Sequence, residues 1–458
     1  MKEHFDIVFV GAGIGGLCAA GLLAAREGRR ILVLERASQL GGRATSFVGD
    51  ELEAWDDYAR PLGVAGRTRV HRALPDPDAI VREHRLDGYV FETGIHGIFP
   101  WGRLGHILNA IGKPVPLAPN DAAQWHDGGR FHRVRRGERF PWMNERDHGE
   151  TKKLVREMLR MAAREIDDLD HVPFKVWLRE RTDSDRAIEF HNVMAGINLT
   201  LTDLDKMSTG DNIRINRQCV FAGYNMANGG TGALGEPGYR MVFDRLAEAV
   251  RSARGEVRTG SRVKEIVVRG GRVAGVVVQG ATGDYEVSAP LVVSNIPIQN
   301  TFTVLPENLF PAEGVKRVRS FWSAGGLCVT YGMRRPLLRL IEGYVPLTEP
   351  ETRDQAILDR VCDAILGFMR GTYPAFDADL KWVVFPVTNF LCGVAPSPHQ
   401  VGEAKPEIKS PYVEGLFFTG DTVRGWGCAA DAAVHASLLC ASAVGSQDYL
   451  HIVPEFMR

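Results

Sequence analysis

The residues that most constrain this chain stand at its beginning. The run Asp6-Ile-Val-Phe-Val10 has strand length, is β-branched and apolar after its first residue, and ends directly on Gly11-Ala-Gly13-Ile-Gly15-Gly16. After it, Ile14, Leu17, Cys18, Gly21, Leu22 and Ala25 recur at three- and four-residue steps, the period of a buried helical face. Gly28 follows where a helix C-terminal glycine belongs, and a second strand, Arg30-Ile-Leu-Val-Leu34, ends on Glu35. This strand, glycine loop, helix, strand, acid order is the context in which Gly-x-Gly-x-x-Gly marks a dinucleotide site. Each residue has its own reason. Gly11 permits a tight turn, Gly13 lets the backbone approach a pyrophosphate, and Gly16 lets helix and strand pack closely. The helix start offers unpaired N–H groups to phosphates. Glu35 is placed to accept hydrogen bonds from a ribose hydroxyl, which disfavours a 2′-phosphate.

The rest of the composition excludes more than it specifies. The 458 residues suit two or three domains by length alone, and 45% of them are hydrophobic, enough for a substantial core. With 55 basic and 56 acidic side chains, the chain lacks the basic excess that general attraction to nucleic acid requires. No uninterrupted apolar stretch reaches membrane-spanning length, and the N-terminus enters a strand without a leader pattern. Seven cysteines are scattered without a Cys-x-x-Cys pair, so neither a disulfide scaffold nor a zinc site is expected, and a reducing cytoplasm is the simplest compartment. Glycine is the excess residue, with 50 copies, and the question is where the chain uses them.

Gly41-Gly42-Arg43 follows Glu35 by six residues. The combination of the N-terminal glycine loop, the glutamate and Gly-Gly-Arg resembles the FAD-binding region shared by amine oxidases, protoporphyrinogen oxidases and carotenoid desaturases. In that superfamily the loop matching Gly42 and Arg43 lies along the FAD diphosphate. The C-terminal part is a second point of resemblance. Gly415-Leu-Phe-Phe-Thr-Gly420-Asp421 reads as a strand ending on Gly-Asp, and residues 429–444 read as a helix of small apolar residues. The run Ala430 to Ala441 is similar to the corresponding helix of plant-type carotene desaturases. The resemblance implies that Gly420-Asp421 meets the ribityl-phosphate part of FAD and that Ala430 offers a backbone N–H to the flavin. Asp431 and Ala432 depart from the usual glutamate and glycine. The residue matching Val263 lends its backbone to adenine in the superfamily; an ordinary strand residue accounts for it equally well.

The fold implied is α/β: a Rossmann-like FAD-binding domain of the glutathione-reductase type, interleaved with an α+β substrate-binding domain. The expected division assigns 1–60, 211–300 and 405–458 to the FAD domain and 88–210 and 301–404 to the substrate domain. Residues 49–87 form a charged insertion, read either as a lid or as a solvated loop. Phe91-Glu-Thr-Gly94-Ile-His96 resembles the superfamily's return to the flavin. Gly230–Gly235, Gly270-Gly271-Arg272 and Gly128-Gly129-Arg130 mimic the cofactor motifs and are rejected as diphosphate sites: the first lacks a preceding apolar strand and an immediate helix, the second reads as a hairpin turn between two β-rich runs, and the third reads as a turn. The arginine-rich run from Arg130 to Arg139 suits carboxylates, phosphates or lipid head groups, with a solvated strand face as the preferred reading.

The candidate cofactor-binding set is therefore Gly11, Gly13, Gly15, Gly16, Glu35, Arg36, Gly42, Arg43, Val263, Gly420, Asp421 and Ala430, with FAD as cofactor and no metal. A flavin carries its own hydride acceptor, so no nucleophile triad is required. His96, His435, Asp431 and Trp426 are the catalytic candidates, with Trp322 as a possible cavity wall. The preferred activity is oxidation of a C–C bond in an apolar, isoprenoid or alicyclic small molecule. An amine oxidase is the runner-up, and a non-enzymatic prenyl-protein carrier of the GDP-dissociation-inhibitor type is the alternative from another class. A peripheral membrane contact is compatible with an apolar substrate.

Overall fold

The β-branched run at the N-terminus is buried on both faces, and a strand in that position needs a covered parallel sheet. A computed structural model supplies one. It describes residues 3–53, 68–92, 102–119, 124–127, 129–135, 137–223, 232–234, 238–280, 283–335, 342–427 and 429–458. Five parallel strands lie in the order Glu256–Arg258, Ile31–Leu34, Ile7–Val10, Leu291–Ser294 and Leu416–Phe418. The helix Ile14–Glu27 packs on this sheet against the helices Arg240–Ser252 and Ala430–Val444. Gly28 ends the first of these in the left-handed region, its N–H donating to Ala24 O, as the sequence predicts. On the sheet's other side is a meander of Arg262–Arg269, Arg272–Gly280 and Gly283–Ser288, which Glu3–His4 joins in parallel. Its first turn is Gly270-Gly271, both with positive φ, so this motif mimic is a hairpin turn.

The chain leaves Ile7–Val10 toward Ile31–Leu34 on one side, while Leu291–Ser294 lies on the other. That reversal opens a crevice at the carboxyl ends of the two central strands, where ligands bind in open α/β sheets.

A second, antiparallel sheet has the order Glu342–Thr348, Ala324–Met333, Leu380–Cys392, Thr68–Leu74. The helix Gln355–Thr372 places Leu358, Cys362, Leu366 and Met369 in a shared core with this sheet. The strand Thr68–Leu74 comes from the 49–87 segment, pairing Thr68 with Thr388 and Leu74 with Val383. This part of the segment is therefore an edge strand, while residues 54–67 lie outside the described residues. Ser46–Val48 pairs with Val90–Glu92, so the chain after Gly42-Arg43 meets the start of the Phe91 motif across the intervening stretch. Helices Glu145–Arg160, Asp185–Leu199 and Thr209–Phe221 pack around Phe174 and Trp177. The strand Arg130–Arg133 pairs with Gln124–Asp127, and Arg130 and Arg133 are exposed, as a solvated face requires. Among the described residues, no helix is long and apolar enough to cross a membrane.

Candidate active site

The crevice opens into a cavity of about 1010 Å³. It is lined by three glycine segments, two near the N-terminus and one close to the C-terminus. Gly11 has φ of +99°, which turns the chain out of the first strand, and its N–H donates to Leu34 O at 2.8 Å. Gly13 caps the following helix with extended backbone and no side-chain cap, and the first turn holds no acid. The N–H groups of that turn are therefore left for an anion. Gly41, also at positive φ, donates to Ala12 O at 2.9 Å and lays the Gly42 loop beside Gly13. Gly420, with φ of +110°, comes so near that a Cβ on Gly15 would stand 3.0 Å from its Cα. A Cβ on Gly16 would stand 2.5 Å from Gly11 O, which accounts for that glycine by packing of helix against loop.

Glu35 ends the second strand at one extremity of the cavity. Its carboxylate accepts from Ala12 N at 2.8 Å and Ala37 N at 2.9 Å. Burial raises its pKa against the pull of those N–H groups. Arg36, Arg262 and Val263 line the same end. Nearer the middle, the Arg43 guanidinium forms an ion pair with Asp421 and donates to Leu391 O at 2.8 Å. Burial would raise the Asp421 pKa, but the charge of Arg43 and the Gly393 N–H at 2.7 Å hold it below the ordinary carboxylate range. The pair thus joins the second glycine loop to the third.

At the start of the helix Ala430–Val444, Ala429, Ala430 and Asp431 line the cavity. Ala429 has φ of +48°, a strained conformation for a residue with a Cβ. Asp431 is held by the fully buried Arg103, with which it forms an ion pair, and by Gln218 Nε2 at 2.9 Å. Arg103 also donates to Met457 O at 2.7 Å and stacks on the Trp426 ring at 3.9 Å. His435 lies behind this group. Its Nδ1 accepts the Trp426 N–H at 3.1 Å, and burial, aided by Arg103 and Lys405, pushes its pKa well below the ordinary value, keeping the ring neutral.

The sequence-derived cofactor residues Gly11, Gly13, Gly15, Glu35, Arg36, Gly42, Arg43, Val263, Gly420, Asp421 and Ala430 all line this one cavity, and Gly16 packs beneath it. Of the catalytic candidates, Asp431 lines it, whereas His435 and Trp426 stand behind its wall. Trp322 packs against the helical core, its backbone N–H donating to Gln400 Oε1 at 2.8 Å. His96 lies outside the described residues. Asn295 and Arg103 are among the residues of the site that escaped sequence reading. Asn295, at the end of Leu291–Ser294, faces Gly11, Gly13, Gly15 and Gly420. Arg103 anchors Asp431.

Comparison with known proteins bears on the family and the fold. Residues 10–60 match a model of the NAD(P)-binding Rossmann-like domain, and residues 81–445 match that of the flavin containing amine oxidoreductases. Among solved structures, an oxidoreductase from Methanosarcina mazei superposes with a TM-score of 0.68 at 18% identity, covering 94% of this chain and 98% of that one. Putrescine oxidase gives 0.63 at 16% identity, covering 97% and 99%. Cyclohexylamine oxidase from Brevibacterium oxydans gives 0.57 at 15% identity, covering 96% and 98%. At these identities the likeness is one of fold. All-trans-retinol 13,14-reductase of Homo sapiens is 43% identical over 53 residues, a match that spans 12% of this chain and only 8% of that protein. The family match extends over most of the chain, and with the glycine cradle it identifies the protein as a member of the flavin-containing amine oxidoreductase family, an enzyme whose cofactor is FAD.

Proposed function

We propose that the enzyme dehydrogenates an apolar or alicyclic small molecule, converting a C–C bond to C=C. The observation that carries this reading is the apolar part of the lining away from the cofactor residues, Val193, Ile197, Leu201, Pro346 and Leu391, with the uncharged Asn192, Thr200 and Thr202 among them. The acids among the described lining residues are Glu35, Asp421 and Asp431, and each of the three is held by protein donors rather than left to meet an ammonium group. Tyr239 is the one aromatic side chain among the described lining residues, whereas holding an amine beside the flavin would call for an aromatic pair.

In this reading the N-terminal glycine loop and helix start hold the diphosphate, Glu35 the ribose and Val263 the adenine. Gly42, Arg43, Gly420 and Asp421 hold the middle of the cofactor, and the Ala430 N–H meets the flavin ring. Bound FAD supplies the hydride acceptor. The chain must orient the C–H bond, exclude water and take up the proton from the adjacent carbon. The Arg103 ion pair engages Asp431, and His435 is turned to the Trp426 backbone, which leaves His96 as the candidate base. A peripheral membrane contact, natural for an apolar substrate, has support in exposed Phe131 and Phe368, whose rings are 6.3 Å apart beside Arg130 and Arg133.

Anaerobic mixing of the FAD-loaded enzyme with isoprenoids, cyclic acids and amines tests the reading. Bleaching by one of the first two classes, with amines inert, is the expected result. Bleaching by amines alone would transfer the assignment to amine oxidation, the reading favoured by the putrescine and cyclohexylamine oxidases among the structural relatives.

A further inference from the structure

Lysine is rarely buried, because its ammonium loses its water unless a counter-charge or several acceptors replace it. Lys405 is 5% exposed, and among the described residues no carboxylate forms an ion pair with it. Its Nζ instead donates to two backbone carbonyls, Asp421 O at 3.1 Å and Gly425 O at 3.3 Å. The chain on either side of Lys405 is pinned. Ala404 O accepts from Arg317 at 2.7 Å, and Pro406 O accepts from the Arg424 N–H at 2.9 Å. The lysine is thus held by its own backbone against the loop that its side chain serves.

That loop leads from Gly420 to the start of the helix Ala430–Val444, and its described residues form neither helix nor strand. Its shape therefore depends on the groups that take its polar atoms. Asp421 gives its carboxylate to Arg43 and its carbonyl to Lys405, and Gly425 O shares the same ammonium. Beyond it the Trp426 N–H donates to His435 Nδ1 at 3.1 Å, and Trp426 O accepts from Arg103 at 3.3 Å. Gly427 then abuts the helix start, where a Cβ on it would stand 2.8 Å from Ala432 N. Lys405 ties residues 421 and 425 to one atom and so fixes where the rest of the loop begins. We infer that Lys405 is a positioning residue of the cofactor site: it sets the separation between Gly420-Asp421, which hold the middle of FAD, and Ala430, which meets the flavin ring. An ammonium suits this post because it offers three donors, and a charged donor bonds a carbonyl more strongly than a neutral one. The inference rests on the placement of FAD proposed above.

FAD and ADP separate the two halves of the cradle, since ADP uses the glycine loop and Glu35 but reaches nothing beyond the diphosphate. The full chain, freed of flavin, is titrated with each, and the wild type binds both. In Lys405→Met the dissociation constant for FAD rises about tenfold, while that for ADP stays within about twofold of the wild type. Lys405→Gln keeps one neutral donor on a shorter stem and gives the same pattern with a smaller loss of FAD. It carries the comparison if circular dichroism shows Lys405→Met to be unfolded. Loss of the fold in both variants, or equal weakening of FAD and ADP, would show that the ammonium serves the fold as a whole. Unchanged FAD affinity would show that it does not set the cofactor's position. Each of these results overturns the inference while the wild type's binding of FAD and ADP leaves the cradle standing. A wild-type chain that takes up neither ligand removes the cradle itself, and the inference with it.

Discussion

Gly13→Val is expected to yield a folded protein that purifies without flavin. The backbone of Gly13 has φ of −74° in the extended region, which valine adopts readily, so the substitution imposes no conformational strain. Its new Cβ stands 2.7 Å from the Asn295 side-chain amide, which must move, and the methyl groups fill the approach to the helix start. Retained FAD should fall by more than about tenfold, equivalent to ~1.4 kcal/mol of binding. Circular dichroism should remain that of a folded chain. Gly16→Val provides the contrast, because its Cβ meets the Gly11 carbonyl at 2.5 Å and the clash is with backbone. That variant should lose stability as well as flavin. If Gly13→Val retained full flavin content, the glycine loop would not be the diphosphate site.

The second large effect concerns Asp431. Replacing it by asparagine leaves the shape nearly intact but removes the anion facing Arg103, which is 0% exposed. Breaking a buried pair from one side typically costs about 3–5 kcal/mol, because the remaining charge is uncompensated. Asp431 also sits in the first turn of its helix, where a negative charge is favoured by the helix dipole. Chemical denaturation of Asp431→Asn at matched flavin content should show a loss of that order. The double variant Arg103→Met, Asp431→Leu should be less destabilised than the single one, since it buries no unpaired charge. A catalytic base would behave differently: Asp431→Asn would then abolish flavin reduction with stability unchanged.

These two sites differ in how far the sequence reveals them. The glycine loop is legible because its meaning is local: strand, turn, helix period and Glu35 fall within thirty residues, and each has a separate steric or electrostatic reason. The structure adds a cause that local reading misses, since Asn295 occupies the space beside Gly13, Gly15 and Gly16 from the end of a strand far away in sequence. Arg103 has no local signal. Its partners Asp431, Gln218 and Met457 come from three distant segments, and a single arginine after a glycine does not announce a buried charge. The edge strand Thr68–Leu74 was obscured for a related reason. Its residues are largely polar, because one edge strand facing solvent needs little apolar patterning, and only pairing with Leu380–Cys392 gives it shape. The helix Asp185–Leu199 gives no sign in the sequence of being a cavity wall, because Val193 and Ile197 look like core residues until the core is seen to lie on the opposite face.

The central claim is that the three glycine segments, Glu35 and the Arg43–Asp421 pair form one FAD cradle. Denaturing the purified wild-type protein and quantifying the released flavin tests it most directly. The account predicts FAD close to one per chain, either as purified or after reconstitution. A colourless protein that takes up no FAD on reconstitution would contradict it.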